Sequence, residues 1–317
     1  MINSAANDPA HIQGANVKTR SPSVHPPVPI RHMDFNFDES RMPKYCWNNN
    51  SWGSAYILTF SAVLPAGERF IIDSVRELRD GIRNPELRDR ATGLIGQEAI
   101  HSRIHGRFNE LYELKGLPMR RIEELSHKLY VEFILPKLSD KNRLAIACGI
   151  EHLTAVMAEE AFGRQPEGME LLDESTRDFM VWHLLEELEH KSVAFDIYNE
   201  LDGSYLRRVA AFLGIWAVSV PFGLYAVNEM LKTPGFDQGK KSNRQGYGYW
   251  FNYLTAFSPK LLEYFRPDFH PDDSDTSELL EIWKNKLFGN KGRLTGLITK
   301  TINPSEKRTS SARKLAS

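Results

Sequence analysis

The sequence comprises 317 residues, 41% of them hydrophobic and 26% charged, with a formal net charge of −1 at pH 7. This length predicts one large or two small domains, and the near-neutral charge excludes whole-chain attraction to nucleic acid. The only two cysteines, Cys46 and Cys148, form no CxxC unit, so neither a disulfide framework nor a thiolate metal site is expected. The first thirty residues contain no apolar signal-peptide core. The chain is therefore predicted to be cytoplasmic.

Helical periodicity runs through most of the chain, and strand-like alternation of useful length is missing, so the predicted fold class is all-α. Residues 1–30, rich in Pro, Ser and Asn, are predicted to be a disordered tail. A helix is predicted over 54–80, with a break or kink at Pro65 and Gly67. The other predicted helices cover 85–114, 118–138, 140–163, 168–201 and 277–288.

The segment from Val209 to Val227 is apolar, and no charge falls between Arg208 and Glu229. Its length is sufficient for a membrane span. Two interpretations stay open: a buried helix that covers the bundle, or a segment that enters a membrane by spanning it or lying in its interface.

Three further boundaries follow from composition. Residues 31–203 are predicted to form the helical bundle, 204–290 an apolar helix with a C-terminal helical extension, and 291–317 a basic disordered tail. Within the extension, His270 lies among aspartates and prolines. A second metal site there competes with ordinary Asp-Pro turn chemistry, which explains the same residues and is favoured.

One stretch carries the strongest chemical signal. On a helix, His183, Glu187 and His190 share one face, because residues i, i+4 and i+7 lie within about 60° of one another. The Glu187-x-x-His190 pair is the (i, i+3) unit of dinuclear metal bundles. A single such pair is usually part of a solvated face, so the remaining parts of a metal site must be found elsewhere in the chain.

Those parts are present in the expected order. A second unit, Glu98-x-x-His101, lies in a segment without helix breakers, and single glutamates precede each unit at Glu68 and Glu151. Glu151 is the only acid in an otherwise apolar stretch, and an unpaired charge there would be costly to bury. The pattern predicts a dinuclear metal site. Its predicted ligands, which would act in catalysis through the metals, are Glu68, Glu98, His101, Glu151, His183, Glu187 and His190.

The donor set suits iron or manganese as the two ions, because zinc sites prefer Cys/His tetrahedra and calcium avoids histidine. Iron is the favoured metal of the two. Glu98, with Glu151 or Glu187, is expected to bridge the ions. One ion is expected at Glu68 and His101, and the other at His190 with His183 as an extra ligand.

Neighbouring side chains are predicted to support the site. His105, one turn beyond His101, is either an additional ligand or, as favoured here, a group that supports the ligands. Glu186 and Glu189 point away from the ligand face of the helix and are predicted to be structural.

The chain resembles a family described as predicted metal-dependent hydrolases. The motifs that carry the resemblance lie between Arg31 and about Asp273. They are Met33-Asp34-Phe35, Pro65-x-Gly67-Glu68, Gln97-Glu98-x-x-His101-x-x-x-His105, Glu151-His152-x-Thr154-Ala155, Trp182-His183-x-x-Glu186-Glu187-x-Glu189-His190-Lys191-x-Val193-Ala194-Phe195-Asp196 and Arg266-Pro267-x-Phe269-His270-Pro271. The resemblance implies a hydrolase and specifies no mechanism.

The metal-site pattern alone also resembles ferritin-like di-iron oxygenases, including the N-oxygenases that carry a third His where His183 stands. This resemblance implies a ferritin-like four-helix bundle with extra C-terminal helices. It favours O₂ activation for the oxidation of a small organic substrate, with an electron donor as partner. The apolar segment from Val209 to Val227 indicates that this substrate is lipophilic. Metal-assisted hydrolysis of an ester or phosphate is the alternative, and iron handling is disfavoured. Oligomeric state and substrate identity are not encoded in these motifs.

Overall fold

The computed structural model describes residues 26–164 and 166–305 and confirms the all-α class. The helices are α1 (Ser51–Leu78), α2 (Pro85–Leu114), α3 (Met119–His127), α4 (Asp140–Glu159), α5 (Glu167–Glu170), α6 (Glu174–His190), α7 (Val193–Leu201), α8 (Tyr205–Leu231), α9 (Lys240–Glu263) and α10 (Ser277–Phe288). Predicted helices over 85–114 and 277–288 agree with α2 and α10. The predicted helix over 118–138 is α3 followed by a π-helical segment, Lys128–Ile134, and a short 3₁₀ turn.

Of the predicted break or kink at Pro65 and Gly67, the break does not occur, because α1 continues through both residues. Asn50 caps its first turn by accepting a hydrogen bond from the Gly53 amide at 2.8 Å. Pro65 has no N–H, so the carbonyl of Ser61, four residues earlier, lacks its usual helical donor. The side-chain amide of Asn109 on α2 donates to that carbonyl at 3.1 Å. A tertiary contact thus satisfies the group that the proline leaves unpaired.

The predicted single helix over 168–201 is divided into α5, α6 and α7. Between α6 and α7, Lys191 donates to the Ser274 carbonyl at 2.6 Å, and Arg90 donates to Ser192 Oγ at 2.9 Å. Nothing in the local sequence breaks a helix here. These contacts with distant segments accompany the interruption, so helix propensity alone did not predict it.

Four long helices, α1, α2, α4 and α6, surround the predicted metal site. Helix α1 packs against α2 and α4, and α6 packs against α4 and α2. Each of the four therefore contributes one face to a shared interior, which is where their glutamates and histidines meet. The specific likeness to ferritin remains a prediction.

Helices α8 and α9 form an outer layer on α1 and α4. Both α8 and the segment Ser51–Gly81 are long and apolar enough to cross a membrane. The most apolar stretch of Ser51–Gly81 is 67% buried, as expected for a core helix, whereas the most apolar stretch of α8 is only 17% buried. One face of α8 packs on the bundle, with Phe212 and Met230 buried, so the covering-helix interpretation describes that face alone.

Two short strands join distant parts of the chain. Strand β1 (Ile30–Met33) pairs antiparallel with β2 (Ile298–Ile302), with Arg31 opposite Thr301. The predicted disorder of 291–317 therefore does not hold for the residues of β2. The rest of that predicted tail from 306 onward, and residues 1–25 of the predicted N-terminal tail, lie outside the described residues.

Candidate metal centre

Side chains from all four central helices converge at one buried place. None of them is more than 4% exposed. They comprise the seven predicted ligands and the predicted supporting residue: Glu68 on α1; Glu98, His101 and His105 on α2; Glu151 on α4; and His183, Glu187 and His190 on α6. The structure thus brings together every residue that the spacing selected.

His101 presents one ring nitrogen to the carboxylates. Its Nε2 lies 3.0 Å from Glu186 Oε2, and Arg31 donates to the other oxygen of Glu186 at 2.8 Å. A carboxylate accepts, so His101 Nε2 carries the proton and Nδ1 carries a lone pair. Nδ1 has no hydrogen-bond partner among the described residues and lies 3.7 Å from carboxylate oxygens of both Glu98 and Glu187.

His190 presents the opposite nitrogen. Gln97 donates its amide to Glu189 Oε2 at 2.9 Å and to the Pro29 carbonyl, so its Oε1 is free to accept from His190 Nδ1 at 2.8 Å. The proton of His190 is therefore on Nδ1. Its Nε2 faces three carboxylates, at 3.2 Å from Glu98, 3.3 Å from Glu151 and 3.4 Å from Glu187.

His183 is oriented by a chain of hydrogen bonds that starts outside the cluster. Asn109 donates its amide to Glu123 and to the Ser61 carbonyl, which leaves its Oδ1 as an acceptor for the Ser61 hydroxyl at 2.6 Å. Ser61 Oγ donates its hydrogen bond to Asn109 and therefore accepts one from His105 Nδ1 at 2.8 Å.

The same chain continues into the cluster. With its proton on Nδ1, His105 accepts at Nε2 from His183 Nδ1, 2.8 Å away. His183 Nε2 is then the lone-pair atom, and it lies 2.8 Å from Glu187 Oε1 and 3.9 Å from Glu68 Oε1. His105 thus positions His183 through this contact, and its supporting role stays a prediction.

The potential ligand atoms fall into overlapping groups. Four groups have ligand atoms within 4.8 Å of one another: Glu68–Glu98–His101, Glu98–Glu187–His190, His101–His183–Glu187 and Glu68–His105–His183. Glu98 and Glu187 each share one of these groups with His190 and another with His101, which suits bridging ligands.

The expected pairing of His183 with His190 is not observed. The rings of His183 and His101 stack with centroids 4.0 Å apart, which places His183 with His101 and Glu68. Glu151 lies instead beside His190, so the cluster has a histidine-rich end and a carboxylate-rich end.

Burial and mutual repulsion shift the acidities of the carboxyl groups. Burial, followed by the neighbouring carboxylates, holds the pKa of Glu98 well above its ordinary value. Burial likewise raises the pKa of Glu151, to about 8. Burial would also raise the pKa of Glu187, but His190 and His183 bring it well below its ordinary value. Without a cation, the cluster therefore retains protons that exposed carboxylates would release.

The residues fit a metal centre by two independent tests. Among the described residues, both carboxylate oxygens of Glu151, one of Glu98 and Nδ1 of His101 are buried without a hydrogen-bond partner. Such atoms are costly to bury unless something binds them. In addition, four ionised glutamates with neutral histidines carry four negative charges, which two divalent cations would balance.

A second charge group lies behind the ligands and was missed by sequence reasoning. Arg31 binds Glu186 at 2.8 Å and Glu189 at 2.7 Å, and Lys284 lies 3.2 Å from Glu189. The two acidic and the two basic side chains of this group thus balance one another in charge. Glu186 and Glu189 are structural as predicted, but Glu186 also orients His101. The sequence did contain a signal for the supporting residues, because Gln97 and Glu186 each directly precede the Glu of a Glu-x-x-His unit.

His270, the candidate for a second metal site, has both ring nitrogens occupied. Its Nε2 lies 2.9 Å from Asp196, and its Nδ1 accepts from the Asp272 amide at 3.1 Å. The side chain caps a 3₁₀ turn, Pro271–Asp273. The favoured turn interpretation agrees with these contacts.

An all-α protein with a buried glutamate–histidine cluster of this kind is a candidate metalloprotein. The family model described as "Predicted metal-dependent hydrolase" matches residues 29–275. The match covers most of the chain, so the protein belongs to this family. No curated protein and no solved structure matches the chain. The resemblance to ferritin-like oxygenases therefore remains a prediction.

Proposed function

We propose that the protein is a metal-dependent hydrolase whose glutamate–histidine cluster binds two metal ions. The carrying observation is that His101, His183 and His190 each have one nitrogen engaged by the protein and the other directed at carboxylates. The family description supports hydrolysis as the reaction. Glu98 and Glu187 would hold both ions, Glu68, His101 and His183 one of them, and Glu151 and His190 the other.

The ions would supply Lewis acidity to polarise an ester or phosphate and to activate water. The chain's own residues orient the ligands and exclude bulk solvent. Glu186, Gln97 and His105 keep three imidazoles in the tautomers that binding requires, and the buried carboxylates concentrate negative charge where cations bind. We propose that the substrate is a small molecule, and that it is lipophilic because α8 is apolar.

The test is metal-dependent turnover. Protein stripped with a chelator is reloaded with Mn²⁺, Fe²⁺ or Zn²⁺ and assayed with lipophilic p-nitrophenyl esters and phosphates. Hydrolysis is expected in the wild type and in Glu110→Ala, an exposed change on α2, and is expected to disappear in Glu187→Ala. Protein that holds two ions but cleaves neither substrate class would contradict hydrolysis without contradicting the metal centre.

Oxidation with O₂ is the second candidate, and the donor set favours it. Two Glu-x-x-His units with a single glutamate from each of two further helices form the pattern of di-iron carboxylate bundles. Iron in this set would supply the redox chemistry, and an external electron donor would be required. Anaerobic loading with Fe²⁺, followed by O₂ addition, distinguishes the candidates: O₂ uptake with an optical change, without ester or phosphate cleavage, would establish oxidation.

A further inference from the structure

The outward face of α8 is a continuous apolar stripe that no described residue covers. Its large members Leu206, Leu213, Val220 and Leu224 recur at helical spacing and lie within about 40° on the helix. Their side chains are exposed by 44–76%. No charge interrupts this helix between Arg208 and Glu229. Monomeric soluble proteins rarely expose apolar surface of this continuity, which marks an interaction site.

Helix α9 carries a second exposed stripe of different character. Lys240 and Arg244 begin it, and Tyr247, Phe251 and Leu254 continue the same face. Tyr247 and Phe251 are each 52% exposed and stack with ring centroids 5.9 Å apart. A basic end followed by aromatic and aliphatic side chains is the composition of helices that lie at membrane interfaces.

The two stripes lie on helices that pack against the same pair of central helices, α1 and α4. Each stripe consists of exposed residues on its helix. The basic residues of α9 are exposed, and Lys240, Lys241 and Arg244 form no ion pair within residues 26–164 and 166–305. Three cations beside an apolar surface complement anionic headgroups above acyl chains.

We propose that this layer docks the protein peripherally on an anionic lipid membrane, with α8 lying in the interface. A transmembrane α8 is inconsistent with its packing, because Arg208, Phe212 and Met230 are buried against the protein. A second copy of this chain fits less well, since pairing equivalent layers would bring the two sets of unpaired cations together. The proposal is independent of the reaction at the metal centre.

The test is vesicle co-sedimentation of the full chain. Wild-type protein is expected to bind vesicles that contain phosphatidylcholine and phosphatidylglycerol. Its binding to vesicles of phosphatidylcholine alone should be at least ~tenfold weaker, and 1 M salt, which screens charges, should weaken its binding to the mixed vesicles by a similar factor. The double variant Leu213→Ser/Leu224→Ser is expected to bind the vesicles ~tenfold or more weakly than the wild type, because two apolar side chains no longer insert into the lipid. The triple variant Lys240→Glu/Lys241→Glu/Arg244→Glu should show a similar reduction in its affinity for the vesicles.

The matched control is Leu114→Ser, which alters a 68%-exposed leucine at the end of α2. It should bind vesicles as the wild type does, and metal content and helical circular dichroism should be unchanged in all variants. Absence of vesicle binding by the wild type, or equal binding by every variant, would overturn the proposal. A wild-type dimer that Leu213→Ser/Leu224→Ser makes monomeric, without vesicle binding, would show that a second copy covers the stripe instead.

Discussion

The two Glu-x-x-His units look equivalent in the sequence but are held differently in the structure. His101 of α2 is oriented through Nε2 and presents Nδ1, whereas His190 of α6 is oriented through Nδ1 and presents Nε2. The orienting group comes from the opposite helix in each case. Glu186 of α6 binds His101, and Gln97 of α2 binds His190. The residue just before each Glu thus supports the other unit.

The reciprocal arrangement is chemically asymmetric. A carboxylate behind an imidazole makes that imidazole a more basic ligand than a neutral amide does. The His101 end is also the end that holds His183, while the His190 end holds Glu151. We therefore expect two metal positions of unequal affinity within one cluster.

The largest effect is expected from removing a carboxylate shared between the two ends. Purified protein should hold about two metal ions per chain, and Glu98→Ala or Glu187→Ala should lose most of both, because each residue shares one ligand group with His101 and another with His190. Elemental analysis after dialysis measures this loss. Glu110→Ala on the exposed side of α2 is the control. An unchanged metal content in both Glu98→Ala and Glu187→Ala would contradict the assignment of a metal site to this cluster.

The metal-free protein should lose stability as the pH rises. Burial raises the pKa of Glu151 to about 8, and burial opposes but the Glu151 and Glu187 carboxylates raise the pKa of His190 to about 9. Groups whose pKa is raised on folding favour the folded state below the unfolded value and lose that contribution as pH rises through the folded value.

The stabilising contribution of Glu151 is therefore lost between about pH 4.5 and 8, and that of His190 between about pH 6.5 and 9. Urea unfolding in a chelator should give a free energy of unfolding lower at pH 9 than at pH 6.5 by on the order of 1–3 kcal/mol. Bound Mn²⁺ should reduce this difference, since cations replace the protons. A metal-free protein equally stable at both values would show that the carboxylates are less crowded than described.

Changing the orienting residues should perturb the histidine on the other helix. Glu186→Gln on α6 is expected to weaken the ion at His101 of α2, and Gln97→Leu on α2 to weaken the ion at His190 of α6, each by about tenfold or more. Stepwise metal titration followed by imidazole ¹⁵N resonances resolves the two histidines. Perturbation confined to the histidine of the mutated helix would contradict the crossed arrangement.

The smallest effect is expected at Ser61, which acts through two intervening groups. Ser61→Ala removes the acceptor for His105 Nδ1, so His105 and then His183 can exchange tautomers. Loss of about 1 kcal/mol corresponds to a several-fold weaker metal affinity. Ser74→Ala is a matched control, because Ser74 is also buried on α1 but donates only to the Phe70 carbonyl. Equal affinities in the two variants would limit His105 to packing.

The convergence of the glutamate and histidine side chains was predictable because helical spacing alone places i, i+3, i+4 and i+7 side chains on one face. The bounds of α2 were predictable as well, since Asn84, Pro85 and Gly116 punctuate it. The break at Lys191 and the orientation of each imidazole were not predictable. They depend on partners such as Ser274 and Arg31, which are far away in the sequence and reach these positions only through the tertiary fold.

The pairing of β1 with β2 connects the far end of the chain to the metal cluster. Arg31 lies on β1, and β1 is held by residues 298–302. Trimming the protein before β2, as is often done to obtain crystals, would leave Arg31 on a strand without its neighbour. Glu186 would then lose part of its anchor, and His101 with it. A shortened chain that still folds could thus bind metal abnormally, so affinity tags and truncations at this terminus should be judged by metal content as well as by yield.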